Sequence, residues 1–199
     1  MPPATTALLA ANIGLFLLQS AIPGLIGPFA LWPLGASAVD PSVGFAPWQL
    51  VTYAFLHGGF THLAFNMFAL YMFGSAIEQV FGTRRYVIYY FVCVVSAALT
   101  QLLVAAGTGL VYPTIGASGG IFGLLLAYGM YFPDARVMLL FPPIPMRARV
   151  FVTLYAIVEL VLGVTGTEEG VAHFAHLGGM IGGYALLRLW RAGGPLRRR

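Results

Sequence analysis

Apolar residues run along this chain in long blocks that polar residues interrupt at only a few places. A helix needs about 20 mostly apolar residues to cross a bilayer, and each block comes close to that length. Helix-ending residues close several blocks, such as Pro23-Gly24 after the first and Pro133 after the fourth. The pattern predicts six transmembrane helices, over residues 4–22, 61–81, 86–106, 116–132, 149–164 and 171–190.

The composition agrees with a membrane protein. Of the 199 residues, 59% are hydrophobic and only 8% are charged, and the mean hydropathy is +0.87. Soluble domains carry about 25% charged residues, and disordered chains have low hydrophobicity, so both classes are excluded. The single cysteine, Cys93, can form no intrachain disulfide, and we expect it to pack in the apolar interior.

The positions of the charges predict the orientation in the membrane. If successive connections alternate between the two sides, all ten basic residues lie on the side of the N-terminus: Arg84, Arg85, Arg136, Arg147, Arg149, Arg188, Arg191 and Arg197 to Arg199. The other side carries Asp40, Glu168 and Glu169. Cytoplasmic loops are rich in Arg and Lys, so we expect a multi-pass protein of the cell (inner) membrane with both termini cytoplasmic. The arginine tail is then expected to face anionic membrane lipids, and no nucleic acid is expected as a partner.

One connection is much longer than the others and lies on the predicted outer side. Residues 24–60 are apolar, with Phe29, Trp32 and Trp48, and are broken by prolines. Such a loop is expected to be structured and to lie in the membrane interface or dip into the bundle. The expected fold is therefore all-α: a single polytopic domain over 1–199, with six helices and a long structured outer loop between the first two.

Polar residues occur inside the predicted spans at one depth. His62 and Asn66 lie near the outer end of span two, Ser118 at that of span four, and His173 and His176 at that of span six. Ionisable groups inside a membrane are functional candidates by default. Because these three spans run in the same direction, we expect their polar residues to converge a turn or two below the outer surface.

Ser118 has the surroundings of a candidate nucleophile. It stands in the segment Gly116-Ala117-Ser118-Gly119-Gly120, whose small residues let a substrate backbone approach. A helix is predicted to begin there, and its unpaired N–H groups favour a developing oxyanion. A serine that only caps the helix is the alternative.

His176 is the candidate base. It precedes Gly179 and Gly183, and span four offers Gly119 and Gly123 at the same spacing. Small residues four apart let helices approach closely, so docking of these faces would bring His176 to the serine of span four. A histidine there can take the hydroxyl proton. A packing histidine bonded to a carbonyl is the alternative.

The remaining polar residues of the spans have several interpretations. His62 and Asn66 share a helix face and can donate hydrogen bonds to an oxyanion, or fasten the bundle by an interhelical bond. His173 is expected nearer water in a non-catalytic role, and His57 in a structural hydrogen bond. Glu159, inside span five, has no assigned function; it pairs with a neighbouring helix or is protonated.

Taken together, these motifs resemble the rhomboid family of intramembrane serine proteases in its minimal six-span bacterial form. The resemblance covers about residues 4–190 and rests on motifs that occur in the expected order. They are His57, His62-x-x-x-Asn66, Glu78-x-x-x-Gly82-x-x-Arg85, Gly116-x-Ser118-Gly119 and Ala175-His176-x-Gly178-Gly179-x-x-x-Gly183.

The resemblance implies a catalytic dyad without an aspartate, in which Ser118 is the nucleophile and His176 the general base. It also implies an oxyanion site formed by His62, Asn66 and the Ser118 amide. The supporting residues are Gly116, Gly119, Phe122, Gly179, Gly183 and His57. Phe122 replaces a common tyrosine, and Gln49 replaces an arginine that commonly follows Trp48. No metal or cofactor is implied, and the expected substrates are single-span transmembrane proteins.

Other classes are less well matched. Zinc metalloproteases use H-E-x-x-H, but no glutamate follows any of the four histidines. Aspartyl intramembrane proteases need two aspartates in spans, and both Asp40 and Asp134 lie outside them. A transporter or channel would show ionisable residues along a path. An intramembrane metalloprotease and a catalytically inactive rhomboid-like binding protein are the remaining alternatives to a serine endopeptidase.

Span five is also expected to behave differently from the others. It has few small residues, and we expect it to pack through Val150, Phe151, Leu154 and Val158. Without close backbone contacts it should associate less tightly with its neighbours. We therefore expect it to be a lateral gate for substrate helices.

Overall fold

The computed structural model describes residues 1–22, 24–138, 143–166 and 172–192, most of which are helical. The long helices are α1 Pro3–Ala21, α2 Phe60–Phe81, α3 Thr83–Thr108, α4 Ser118–Tyr131, α5 Ala148–Thr165 and α6 His173–Ala192. Each corresponds to a predicted span, with ends that differ by at most three residues. The predicted start of span six, at residue 171, lies outside the described residues.

Four helices of the described chain, α1, α2, α3 and α5, are long and apolar enough to cross a membrane. The apolar α4 has only 14 residues, and the histidines, glycines and arginines of α6 lower its hydropathy. The helical character and the multi-pass membrane nature predicted from the sequence are confirmed. The count of six spans stays a prediction.

Helix α4 is the most enclosed helix, and glycines allow its neighbours to approach. A Cβ atom on Gly179 of α6 would overlap the carbonyl oxygen of Gly119 in α4. On the other side, a Cβ on Gly123 would overlap the sulfur of the buried Cys93 in α3. The backbones of α4 and α6 are therefore in direct contact, as the small-residue spacing predicted, and Cys93 packs in the interior.

Glu78 of α2 joins three helices. Its carboxylate accepts hydrogen bonds from the amides of Ala4 (3.0 Å) and Thr5 (2.7 Å), and from the Thr83 hydroxyl (2.9 Å). The first N–H groups of a helix lack partners within the helix, and its dipole favours an anion there. Glu78 therefore caps α1 and ties it to α2 and to the start of α3. Gly82, with φ +74°, makes the turn between α2 and α3.

The connection between α1 and α2 is structured. It contains helical turns at Ile26–Phe29, Ala36–Val39, Gln49–Thr52 and Tyr53–Phe55. Leu31 forms an isolated β-bridge with Thr114, which lies in the connection between α3 and α4. The buried Gln49 side chain accepts from the Trp32 amide (3.1 Å) and donates to the Gly44 carbonyl (3.0 Å). The neutral amide of Gln49 thus organises this loop at the position where the rhomboid family commonly has an arginine.

Helix α5 follows a small hairpin and is the least buried of the candidate spans. Strands β1 Arg136–Met138 and β2 Pro145–Arg147 pair antiparallel ahead of it. Only 17% of the most apolar 18-residue stretch of α5 is buried, against 44% of that of α3. Of the four residues predicted to form its packing face, Phe151 packs against the core. The prediction was wrong for Val150, Leu154 and Val158, because the buried residues are Ala148, Val152 and Glu159. Branched residues without close backbone contacts leave the opposite face open, and Val150, Leu154 and Val158 lie there.

Candidate active site

The polar residues predicted to converge lie at the first turns of three helices. Helices α2, α4 and α6 begin at Phe60, Ser118 and His173, so His62, Asn66 and His176 follow within the first two turns. Because all three helices start at this end of the bundle, the side chains meet at one level. The depth inferred from the sequence is therefore shared in the fold.

The backbone in front of Ser118 is shaped by Gly116. This glycine has φ +126°, a conformation that residues with a side chain rarely adopt. Its amide donates to the Tyr53 carbonyl at 2.9 Å, which anchors the loop to the α1–α2 connection. A Cβ atom here would lie 2.9 Å from Nε2 of His62, so only glycine lets that ring approach the serine.

Ser118 and His176 are in hydrogen-bond contact. Ser118 Oγ lies 2.8 Å from His176 Nε2, across the close contact between α4 and α6. The Phe122 ring, one turn after the serine, stacks on the imidazole with centroids 4.2 Å apart and an interplanar angle of 4°. Stacking and the hydrogen bond together fix the plane of the ring. The predicted approach of the two side chains is present.

A third polar residue completes this contact from α5. Glu159 Oε2 lies 2.8 Å from His176 Nδ1 and 2.7 Å from His173 Nδ1. The family resemblance implied a serine–histidine dyad without an aspartate, whereas the contacts form a chain from Ser118 through His176 to Glu159. His173, expected nearer water, is only 5% exposed, because the glutamate holds it inside the bundle.

Glu159 is the residue of this cluster whose contact with His176 the sequence analysis missed. Its one signal was an acidic residue in an otherwise apolar helix, which favours pairing with a neighbouring helix. Which helix it meets depends on how α5 docks, and no spacing rule relates position 159 to position 176. The expectation that it pairs across helices is confirmed by its two contacts with α6.

His62 presents a hydrogen-bond donor toward the serine. The Gly58 amide donates to His62 Nδ1 at 3.3 Å, so the proton of the neutral ring resides on Nε2, the atom that lies over Gly116. Asn66 is 8% exposed and donates from Nδ2 to the His62 carbonyl at 2.9 Å, within its own helix. Its second Nδ2 hydrogen can be directed at another acceptor.

His57 supports this region through its backbone. Its amide donates to Gln19 Oε1 (3.1 Å), and its carbonyl accepts from Gln19 Nε2 (2.5 Å). Its ring lies edge-on to His62, with centroids 5.0 Å apart. The expected structural bond is therefore made by the backbone. Burial, helped by the His62 ring, lowers the pKa of His57 to about 4, so the imidazole is neutral at pH 7.

The cluster also has the composition of a metal site. Glu159, His173 and His176 each offer one ligand atom, and these atoms lie within 4.8 Å of one another. Two histidines and a glutamate are the protein ligands of some catalytic zinc sites. The donor set thus suits a metal ion by residue type.

Comparison with known proteins identifies the family. A family model described as a rhomboid domain matches residues 44–192, which include every site residue from His57 to His176. The chain belongs to the rhomboid family. The long α1–α2 connection is divided by this match, because the rhomboid domain begins at residue 44 and leaves α1 outside it.

Curated members of the family share about a third of the aligned residues. The chain is 32% identical over 149 residues to rhomboid protease GluP of Bacillus subtilis (strain 168), covering 73% of this chain and 27% of GluP. It is 32% identical over 154 residues to the putative rhomboid protease YdcA of the same organism, covering 70% and 65%. To the mitochondrial Rhomboid protein 1 of Saccharomyces cerevisiae (strain ATCC 204508 / S288c) it is 31% identical over 137 residues, covering 68% and 39%. The chain thus spans less than two thirds of the length of these relatives.

Proposed function

We propose that this chain is an intramembrane serine endopeptidase that cleaves transmembrane segments of single-span membrane proteins. The observation that carries the proposal is the 2.8 Å contact between Ser118 Oγ and His176 Nε2 at the start of a helix within a rhomboid domain. A serine hydroxyl becomes a useful nucleophile when an adjacent base can take its proton. The names of two relatives support the same class of reaction, since GluP is named a rhomboid protease and YdcA a putative rhomboid protease.

In the proposed reaction, Ser118 Oγ attacks the carbonyl carbon of the scissile peptide while its proton passes to His176 Nε2. The carbonyl oxygen becomes an oxyanion, for which the Ser118 amide, His62 Nε2–H and Asn66 Nδ2–H are the proposed donors. His176 then gives the proton to the leaving amine, and an acyl-enzyme remains on Ser118. Water, activated by His176, releases the acid product and restores the serine.

The proposed setting is a single six-span domain over 1–199 in the cell (inner) membrane. With all ten arginines on one side, both termini are placed in the cytoplasm and the site opens to the outer side. Hydrolysis below the membrane surface needs a water-filled cavity, which polar side chains must line. The loosely packed α5 is the proposed side on which substrate helices reach the site, and membrane lipids are its other neighbours.

The first prediction tests the nucleophile and base. In detergent or liposomes with a generic single-span substrate, Ser118→Ala and His176→Ala should each lower kcat by about 10³-fold or more. The double variant should be no worse, because the two residues act as one unit. Gel-based cleavage rates measure the effect. Helical content should be unchanged, since both residues lie in the first turns of their helices and neither change removes a backbone hydrogen bond.

Ser20→Ala is the matched control. Ser20 is exposed on α1 and its hydroxyl bonds only to the Phe16 carbonyl of its own helix, so full activity is expected. A fluorophosphonate should label wild-type Ser118 and fail to label the His176→Ala variant. Robust cleavage by Ser118→Ala would contradict the serine mechanism. Absence of both cleavage and labelling in the wild type would favour an inactive rhomboid-like binding protein.

A further inference from the structure

Glu159 is a buried carboxylate whose position needs an explanation. It lies on α5, the least buried candidate span, yet it is itself only 6% exposed. An acidic group in an apolar interior is destabilising unless hydrogen bonds compensate for the lost hydration. Its compensation comes from two imidazoles of α6, those of His173 and His176. Helix α5 therefore directs its one acidic residue, Glu159, at His176, the histidine beside Ser118.

The geometry points to Glu159 as a positioning residue that selects the reactive tautomer of His176. A carboxylate oxygen only accepts, so the nitrogen 2.8 Å away, His176 Nδ1, carries the proton. In the neutral ring, Nε2 then has the lone pair that faces Ser118 Oγ at 2.8 Å. Without the carboxylate, either nitrogen can hold the proton, and one of the two tautomers cannot act as the base.

The same contact matters when the proton moves. His176 becomes positively charged when it takes the Ser118 proton, and the carboxylate of Glu159 then lies beside that charge. Glu159 itself stays ionised, and the proton goes on from Nε2 to the leaving amine. An acid–histidine–serine arrangement thus stabilises the transition state more than the ground state, which is the condition for raising kcat. This inference rests on the proposed serine protease function.

His173 holds the glutamate in place. Its Nδ1 donates to the same oxygen, Oε2, at 2.7 Å, one helical turn before His176. A carboxylate bonded only to His176 could rotate with that ring, whereas a second donor on the same helix fixes its direction. The buried His173 therefore serves to position Glu159, which explains why a second histidine lies at this depth.

The spacing of the donor atoms is that of a hydrogen-bonded cluster. Nitrogen–oxygen distances of 2.7 and 2.8 Å are those of direct hydrogen bonds. Zinc ligands lie about 2.0–2.1 Å from the ion, and a tetrahedral site therefore holds them about 3.3 Å apart. A hydrogen-bonded cluster and a metal centre also differ in their response to chelation, because only the metal centre loses activity to a chelator.

The second prediction concerns Glu159→Ala and Glu159→Gln. We expect the alanine variant to lower kcat by about 10²–10⁴-fold with little change in KM, because tautomer selection and charge are both lost. Glutamine keeps an oxygen that accepts from Nδ1 but loses the charge, so its kcat should lie between those of the alanine variant and the wild type. The rate of Ser118 labelling by a fluorophosphonate should follow the same order.

Val152→Ala is the structural control on the same helix. Val152 is buried and packs against Gly129, so its truncation should lower the thermal midpoint while kcat is kept. A second measurement does not depend on turnover. It uses ¹⁵N spectra of protein labelled at its histidines, and the His176 signal is identified as the one that is absent from the spectrum of His176→Ala. The wild type should show the proton on Nδ1, and Glu159→Ala should show it shifted toward Nε2.

Three results would overturn the inference. If Ser118→Ala is inactive while Glu159→Ala keeps full kcat and the Nδ1 proton, the protease function stands and the positioning role does not. If the wild type neither cleaves nor labels, the function and the role that rests on it both fail. If 1,10-phenanthroline abolishes activity and zinc restores it, the cluster of Glu159, His173 and His176 is a metal centre.

Discussion

Two histidines close to Ser118 are held in opposite protonation patterns by their neighbours. His176 donates from Nδ1 to Glu159 and presents an unprotonated Nε2 to the serine. His62 accepts at Nδ1 from the Gly58 amide and so presents a protonated Nε2. One ring is therefore suited to take a proton and the other to donate a hydrogen bond to an oxyanion. Identical side chains acquire different chemistry from a single partner atom each.

The third prediction concerns Asn66, whose amide is the other proposed oxyanion donor. Asn66→Ala should lower kcat by about 10–10³-fold with little effect on KM, because the donor acts mainly in the transition state. The thermal midpoint should fall only slightly, since the described bond of this side chain stays within α2. Cleavage kinetics and thermal unfolding are measured on the same preparations, with His62→Ala expected to behave similarly.

Leu63→Ala is the neighbouring control for Asn66. Leu63 lies in the core and is 6% exposed. Its truncation should therefore lower the thermal midpoint more than Asn66→Ala does, and should lower kcat less. If Asn66→Ala keeps full turnover and loses only stability, the side chain fastens the bundle. The proposed oxyanion site would then be reduced to the Ser118 amide and His62.

The contact between helices α4 and α6 brings the side chains of Ser118 and His176 together. Their contact at Gly119 and Gly179 leaves no room for a methyl group. Since the serine and the histidine project from these same turns, the distance between Ser118 Oγ and His176 Nε2 is set by how closely the two backbones approach. Packing of the two helices and geometry of the site are thus one feature of the fold.

The fourth prediction concerns Gly179→Ala. The added methyl would overlap the Gly119 carbonyl, so the helices must separate, and both the thermal midpoint and kcat should fall. Gly14→Ala, on α1, meets no atom within 4 Å and should leave both quantities unchanged or raise stability slightly. Full activity in Gly179→Ala would show that the site tolerates a wider helix separation than we infer.

The whole chain has a polarity that comes from its arginines and from the direction of its helices. Three helices begin at the level of the site, while Arg136 and Arg147 lie in the hairpin that follows α4 at its other end. Arginine is retained on the cytoplasmic side of a membrane, so the hairpin should be cytoplasmic and the loop before α2 external. The site then faces the outer side.

The fifth prediction tests this orientation. A membrane-impermeant maleimide should label Ser42→Cys, in the exposed loop before α2, in intact cells. It should label Arg136→Cys, in β1, only after permeabilisation. The native chain is a suitable background because Cys93 is its one cysteine and is fully buried. The reverse pattern would place the site on the cytoplasmic side and contradict the positive-inside assignment.

Local patterns determined much of this protein before any helix was docked. Apolar blocks predict the six long helices to within three residues, because span length is a one-dimensional property. The pairing of Ser118 with His176 was also predictable, since glycines at a spacing of four mark the faces on which helices approach. The positions of the arginines also predict the orientation of the chain in the membrane, because the distribution of charge along a sequence does not depend on how the helices pack.

The docking of α5 decided the rest. Its apolar residues look alike in sequence, so of the expected packing residues Val150, Phe151, Leu154 and Val158 only Phe151 packs against the core. The buried face carries Glu159 instead. The contact of that carboxylate with His176 joins residues 17 positions apart on different helices. It depends on the rotation of α5 about its own axis. No periodicity within one helix specifies that rotation, because it results from packing against the others.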